Sequence, residues 1–148
     1  MEFFHAADHP PRPADVEHFT GAATVAQIHG LCAQPSVNLY RVTFQPSART
    51  AWHSHTGVQV LLVLEGCCRV QKAGAPIQDV AAGGVIRIEP GERHWHGATP
   101  DAAMTHIALN FNATTEWFEK VSDLDFLRVS TPSLSSTEME TPSRPVQR

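Results

Sequence analysis

What most limits the fold of this chain is its punctuation. Between residues 37 and 111, short runs rich in β-branched and aromatic residues alternate with turns built from glycine and proline, at roughly 6–12-residue spacing. Residues 37–44 alternate, with Leu39, Arg41 and Thr43 on one face and Tyr40, Val42 and Phe44 on the other. Residues 58–64 are apolar on both faces, as in a strand inside a sandwich or against another subunit. Further strands follow at 67–71, 77–80, 85–88, 94–96 and 103–111. A succession of this kind describes an all-β antiparallel sandwich or barrel. Residues 19–31 have room for one or two strands before it, and 114–120 read as a short C-terminal helix with Thr114 or Thr115 as its N-cap.

The flanks differ in composition. Residues 1–15 carry Pro10, Pro11 and Pro13 without periodicity and read as an irregular arm; residues 16–128 hold the barrel. From 129 to 148 serine, threonine and proline dominate, and too few apolar side chains remain to offset the entropy of ordering, so a disordered tail is expected. A chain of 148 residues favours one domain. Its net charge of −4 and lack of a basic run exclude nucleic acid as a partner. No apolar stretch approaches the length of a membrane span, no signal peptide is visible, and three cysteines without a framework suit a reducing cytoplasm.

Nine histidines are many for this length, and five of them are His53, His55, His94, His96 and His106. In a strand, residues i and i+2 share a face, so His53 and His55 aim at one point, and Gln59 has the same parity. His94 and His96 form a second same-face pair just after the Gly91 turn, and His106 can line the same cavity from the next strand. Two segments bearing such donors can complete a metal site with positions left for substrate. Trp52 and Trp95 have the opposite parity and read as packing residues. Cys67 and Cys68 read as structural, and Arg49 as solvated.

Ser47, His53, His55, Gln59 and Gly66 fall at the places of the first cupin motif, and Gly83, Pro90, Gly91 and His94 at those of the second. The chain thus resembles the cupin superfamily. Residues 48–55 (ARTAWHSH), the glutamine, and residues 90–109 (PGERHWHGATPDAAMTHIAL) are similar to small bacterial cupins that include manganese-dependent hydroxynitrile lyases, and to cupins associated with carboxymuconolactone decarboxylases. The resemblance implies a jelly-roll-like β-barrel in which His53, His55, Gln59 and His94 bind a divalent transition metal, manganese first, with Fe, Ni, Co or Zn compatible. It implies a pocket lined by Thr50, His96, His106 and Asn110, and cleavage or formation of cyanohydrins, with a pocket histidine taking the hydroxyl proton. The alternatives are a dioxygenase of small aromatic or dicarbonyl substrates and a non-catalytic small-molecule-binding cupin. Departures from the pattern are Ser47 for a glycine, Gly84 for an aspartate, Tyr40 at a pocket wall where the lyases are small, and Asn110 where they can carry glutamine.

Gln59 has its own consequence. Three neutral imidazoles and a neutral amide leave the full charge of a divalent ion uncompensated, which makes it a stronger Lewis acid and favours an anionic ligand. The doubly apolar strand points to a homodimer or homotetramer.

Overall fold

The computed structural model describes residues 1–128; the expected tail, 129–148, lies outside the described residues. After a single 3-10 turn (Ala6–Asp8), thirteen strands follow: β1 (Arg12–Pro13), β2 (Phe19–Thr20), β3 (Ala23–Ala33), β4 (Ser36–Phe44), β5 (Arg49–Thr50), β6 (His53–His55), β7 (Gln59–Glu65), β8 (Cys67–Lys72), β9 (Gln78–Ala81), β10 (Val85–Ile88), β11 (His94–Ala98), β12 (Met104–Phe111) and β13 (Thr115–Trp117). A four-residue helix, α1 (Asp123–Phe126), closes them. One sheet runs β1-β3-β4-β12-β7-β10. The other runs β13-β6-β11-β5-β2, with β8 joining β11 and β9 beyond it. Every pairing is antiparallel, as the short alternating runs required.

The inner faces follow from the period of two. On β4, Val42 and Phe44 are buried; on β7, Gln59, Leu61 and Val63; on β12, Met104, His106, Ala108 and Asn110. The register aligns these positions: His106 lies opposite Val42 on one side and Val63 on the other, and Asn110 lies opposite Gln59. Phe44, Val63, Cys68, Ala98 and Met104 form the apolar floor of the barrel. Burial pushes the Cys68 thiol up to about 12, so it stays protonated and acts as a small core residue. On the outward face of β7, Leu62 and Leu64 are exposed, so its second apolar face is uncovered in the single chain.

Three expectations change. Residues 53–59 are not one strand. His53 and His55 lie on β6 in one sheet, and Gln59 opens β7 in the other. The chain crosses between sheets at Gly57, where any Cβ would overlap the Phe111 carbonyl oxygen, so glycine alone allows the turn. The helix expected at 114–120 is instead β13, which pairs with β6 through Thr115 opposite His55 and Trp117 opposite His53. Thr114 has cap chemistry, but a free strand edge and a bulky aromatic that packs on it outweigh so short a helix signal. The helix begins eight residues later, where Ser122 Oγ accepts from the Asp125 amide.

Arg49 is the third correction: it is buried rather than solvated. Its guanidinium donates to the Val121 carbonyl through Nε (3.2 Å) and Nη2 (2.7 Å), and Nη2 also bonds Asp123. It lies over the Phe126 ring at 4.5 Å. Phe126 packs with Trp95 and Val121 behind the sheet that carries β11, so the C-terminal segment is clasped to the outside of the histidine strand. Trp95 is fully buried there, as its parity implied, and its indole donates to Gln71 Oε1. Phe126→Ala should therefore lower stability by about 3 kcal/mol, as Phe-to-Ala changes in cores do. Urea denaturation followed by tryptophan fluorescence measures this, and a loss under about 1 kcal/mol would show that the clasp is not a cooperative part of the barrel.

Candidate metal centre and cavity

All eight residues singled out for metal or pocket roles are buried: Thr50, His53, His55, Gln59, His94, His96, His106 and Asn110. β6 supplies His53 and His55, and β11 supplies His94 and His96. His94 lies opposite His53 in the ladder, which brings their ring centroids to 4.2 Å. Gln59 and Asn110 reach in from the facing sheet. The donor atoms of His53, His94 and His96 all lie within 4.8 Å of one another. His55 is outside that triad, yet its Nε2 is buried without a partner.

The hydrogen bonds made by the far side of each ring define the near side. His53 Nδ1 bonds the Ala51 carbonyl (2.9 Å), and His94 Nδ1 bonds the Glu92 carbonyl (2.8 Å). A carbonyl only accepts, so both Nδ1 atoms carry hydrogen and, in the neutral ring, both Nε2 atoms are bare lone pairs. His55 Nδ1 is tied to Thr115 Oγ1 at 2.9 Å. Opposite them, Gln59 Nε2 donates to Asn110 Oδ1 at 2.8 Å, leaving Gln59 Oε1 3.2 Å from His94 Nε2. Two acceptors thus face one another in a buried site with no proton between them, an arrangement that a cation relieves. Nitrogen donors with one amide oxygen suit a divalent transition metal, so the residues fit the group their spacing implied.

The rings are neutral. Burial first, then repulsion from His94, holds His53 well below the ordinary imidazole value. Burial followed by His94 brings His55 to about 4, and burial lowers His94. Burial, then the neighbouring His106, holds His96 well down, while burial brings His106 to about 4. Neutral imidazole is the form a metal needs.

His96 and His106 make a different kind of pair. His106 Nε2 and His96 Nδ1 share one proton at 3.1 Å, and the outer nitrogens, His96 Nε2 and His106 Nδ1, are buried without partners. Thr50 Oγ1 accepts from the His96 amide, fixing that strand against β5. Beside the cluster lies a cavity of about 270 Å³, lined on its polar side by Thr50, His96, His106 and Asn110 and on its apolar side by Phe19, Val25, Tyr40, Val42, Phe44 and Trp117. Burial raises the Tyr40 phenol, so it enters the cavity wall as a neutral hydroxyl.

Sequence reasoning missed Trp117 and Thr115. Trp117 lies tilted against His53 at 4.7 Å and stacked on His18 at 4.5 Å, and Thr115 anchors His55. The available signal was the run Thr114-Thr115-Glu116-Trp117, three of whose members favour strands. The backbone carbonyls of Ala51 and Glu92 leave no signal in side-chain identity.

A small antiparallel barrel with an inward-facing histidine cluster is the arrangement of a cupin; residues 40–109 match the Cupin domain family, and the chain belongs to it. Among its relatives, the (R)-mandelonitrile lyase of Granulicella tundricola is 39% identical over 119 residues, covering 78% of this chain and 89% of that protein. A cupin-like protein from Thermotoga maritima superposes with a TM-score of 0.73 at 33% identity, over 77% of this chain and 89% of its own. The polyketide cyclase RemF of Streptomyces resistomycificus superposes with a TM-score of 0.63 at 16% identity, over 85% and 90%, a likeness of fold alone. Among the described residues no helix is long and apolar enough to cross a membrane.

The histidines set the acid sensitivity of the metal-free protein. Their folded values lie below the ordinary 6.5, so between the two the unfolded chain binds more protons. Stability should be full above about pH 6.5 and fall as pH drops toward 4, over the window given for His55 and His106. Thermal melts of chelator-treated protein across that range check this; a flat profile would show that the rings are not neutral and buried together.

Proposed function

We propose that the protein is a metal-dependent hydroxynitrile lyase that cleaves or forms small cyanohydrins. In this reading His53, His55, Gln59 and His94 hold manganese(II), and His96, backed by His106, moves the proton. The observation that carries it is the set of buried lone pairs, with Gln59 Oε1 3.2 Å from His94 Nε2, beside a histidine pair that borders the cavity. The relationship to the mandelonitrile lyase supports the reaction class.

Although His96 lies as close to His53 and His94 as a ligand would, the far-side hydrogen bonds favour His55. The Nδ1 atoms of His53, His55 and His94 are each anchored to a protein oxygen, the orientation that fixes a ligating imidazole. His96 is anchored to another imidazole instead, which suits a residue that passes protons.

A bound divalent ion would supply Lewis-acid stabilisation of the negative charge that develops during the reaction. The chain does the rest. Thr50 and Asn110 offer polar contacts in the cavity, and the ring-rich wall of Phe19, Tyr40, Phe44 and Trp117 keeps water from the substrate's apolar end. His96 Nε2 takes the hydroxyl proton of the cyanohydrin as the C–O bond becomes a carbonyl and the carbon–carbon bond to the nitrile breaks, its electron pair leaving with cyanide. Transfer of that proton to cyanide gives hydrogen cyanide and returns His96 to its neutral form. Synthesis is the reverse.

Elemental analysis and a mandelonitrile assay test this together. His53→Ala and His55→Ala should both lose the metal and the activity. His96→Ala should keep the metal and lose at least about 100-fold in rate, the contribution of a positioned base. A His55→Ala protein that retains full manganese, or a His96→Ala protein that loses it, would exchange their roles; oxygen consumption with a dicarbonyl and no benzaldehyde release would replace the lyase with an oxidative enzyme.

The outward-facing Leu62 and Leu64, with Val85 on neighbouring β10, support a homodimer joined through this sheet. Light scattering should give twice the 16.2 kDa chain mass, and Leu64→Glu should halve it. A monomeric wild type would end this part of the proposal.

A further inference from the structure

We infer that Asn110 is a positioning residue for the metal centre: by accepting a hydrogen bond from the Gln59 amide nitrogen, it dictates which end of that amide meets the cation. The inference rests on the metal reading proposed above. It assigns Asn110 a task distinct from contact with substrate.

A glutamine side chain is ambiguous. Its oxygen is a metal donor, whereas its NH2 group carries positive partial charge and repels a cation, and a half-turn about the last bond exchanges them. The His94 end of the contact is settled. His94 Nδ1 donates to the Glu92 carbonyl, so His94 Nε2 presents a lone pair. Left alone, Gln59 gains by turning its NH2 toward that lone pair, which makes a good hydrogen bond and blocks the nitrogen from a metal. The observed amide does the reverse: Oε1 faces His94 Nε2 at 3.2 Å, and Nε2 is directed to Asn110 Oδ1 at 2.8 Å.

The pairing is built into the sheet. Gln59 and Asn110 are direct partners in the β7–β12 ladder, with their side chains on the same inner face, and both are buried. Asn110 therefore holds Gln59 in the form that is poorer without a cation and better with one. An aspartate at 110 can only accept and holds the amide in the same sense. A glutamate at 59 presents oxygen at both ends and has no wrong way round, so in its presence the function of Asn110 disappears.

This predicts a coupling, measured by manganese(II) titration of the chelator-treated protein and checked by the metal-induced rise in melting temperature. Asn110→Leu should weaken manganese binding by about 10-fold or more, the usual loss when a ligand's partner is removed. Asn110→Asp should bind at least as tightly as wild type. In a Gln59→Glu background, Asn110→Leu should change affinity by less than about 3-fold. Asn110→Ala, run in both backgrounds, replaces the leucine variant if that side chain disturbs β12, and must show the same dependence on Gln59. Equal losses in the two backgrounds, no loss in either, or an aspartate variant as weak as the leucine one would overturn the inference while leaving the metal centre intact. A wild type that binds no manganese would instead overturn the metal reading itself.

Discussion

The interaction on which the rest depends is a repulsion. The Nε2 lone pairs of His53 and His94 and the amide oxygen of Gln59 are gathered in a buried place where none has a proton to offer another. Each is held there by a bond on its far side, to Ala51, Glu92 or Asn110. A protein interior does not tolerate such a grouping for its own stability, because every unsatisfied acceptor has lost its water. The barrel supplies the force that keeps it: apolar floor residues below, paired strands on either side, and a clasped C-terminal segment behind β11. Stability made elsewhere is spent here on holding lone pairs together.

The site is also divided between two sheets. The histidines of β6 and β11 belong to one, and Gln59, Asn110 and His106 to the other. A single strand with three donors would have been a rigid comb. Donors contributed from opposite walls instead make the geometry depend on how the sheets face each other, and the Gly57 crossing is the hinge that brings the two halves of one short motif onto both walls. The aromatic wall of the cavity is divided similarly, with Phe44 on β4 and Trp117 on β13.

Much of this was legible in the sequence because period-two patterning is a local property. The inner faces of β4, β7 and β12 follow from alternation, and the pairing of His53 with His55 and of His94 with His96 from spacing alone. What could not be read depends on distant contacts. Gln59 lies beside the histidines, but on the opposite sheet, since parity cannot reveal that the chain changes sheets at Gly57. Trp117 and Thr115 were hidden because a free strand edge, absent from any local window, decided strand over helix. Arg49 looked like a surface cation because its partners, the Val121 carbonyl and Asp123, lie more than seventy residues away.

The position of β13 has a consequence for the order in which the protein is made. Thr115 anchors one histidine and Trp117 covers another, yet both follow every histidine of the cluster along the chain. The histidine cluster is thus present in the chain before these two partners are. As the chain is synthesised, the motifs that identify the family are complete by residue 109, while Thr115, which holds His55, and Trp117, which packs against His53, arrive only with the last strand. The surroundings of His53 and His55 are thus complete only once residues 115–117 have joined the edge of β6.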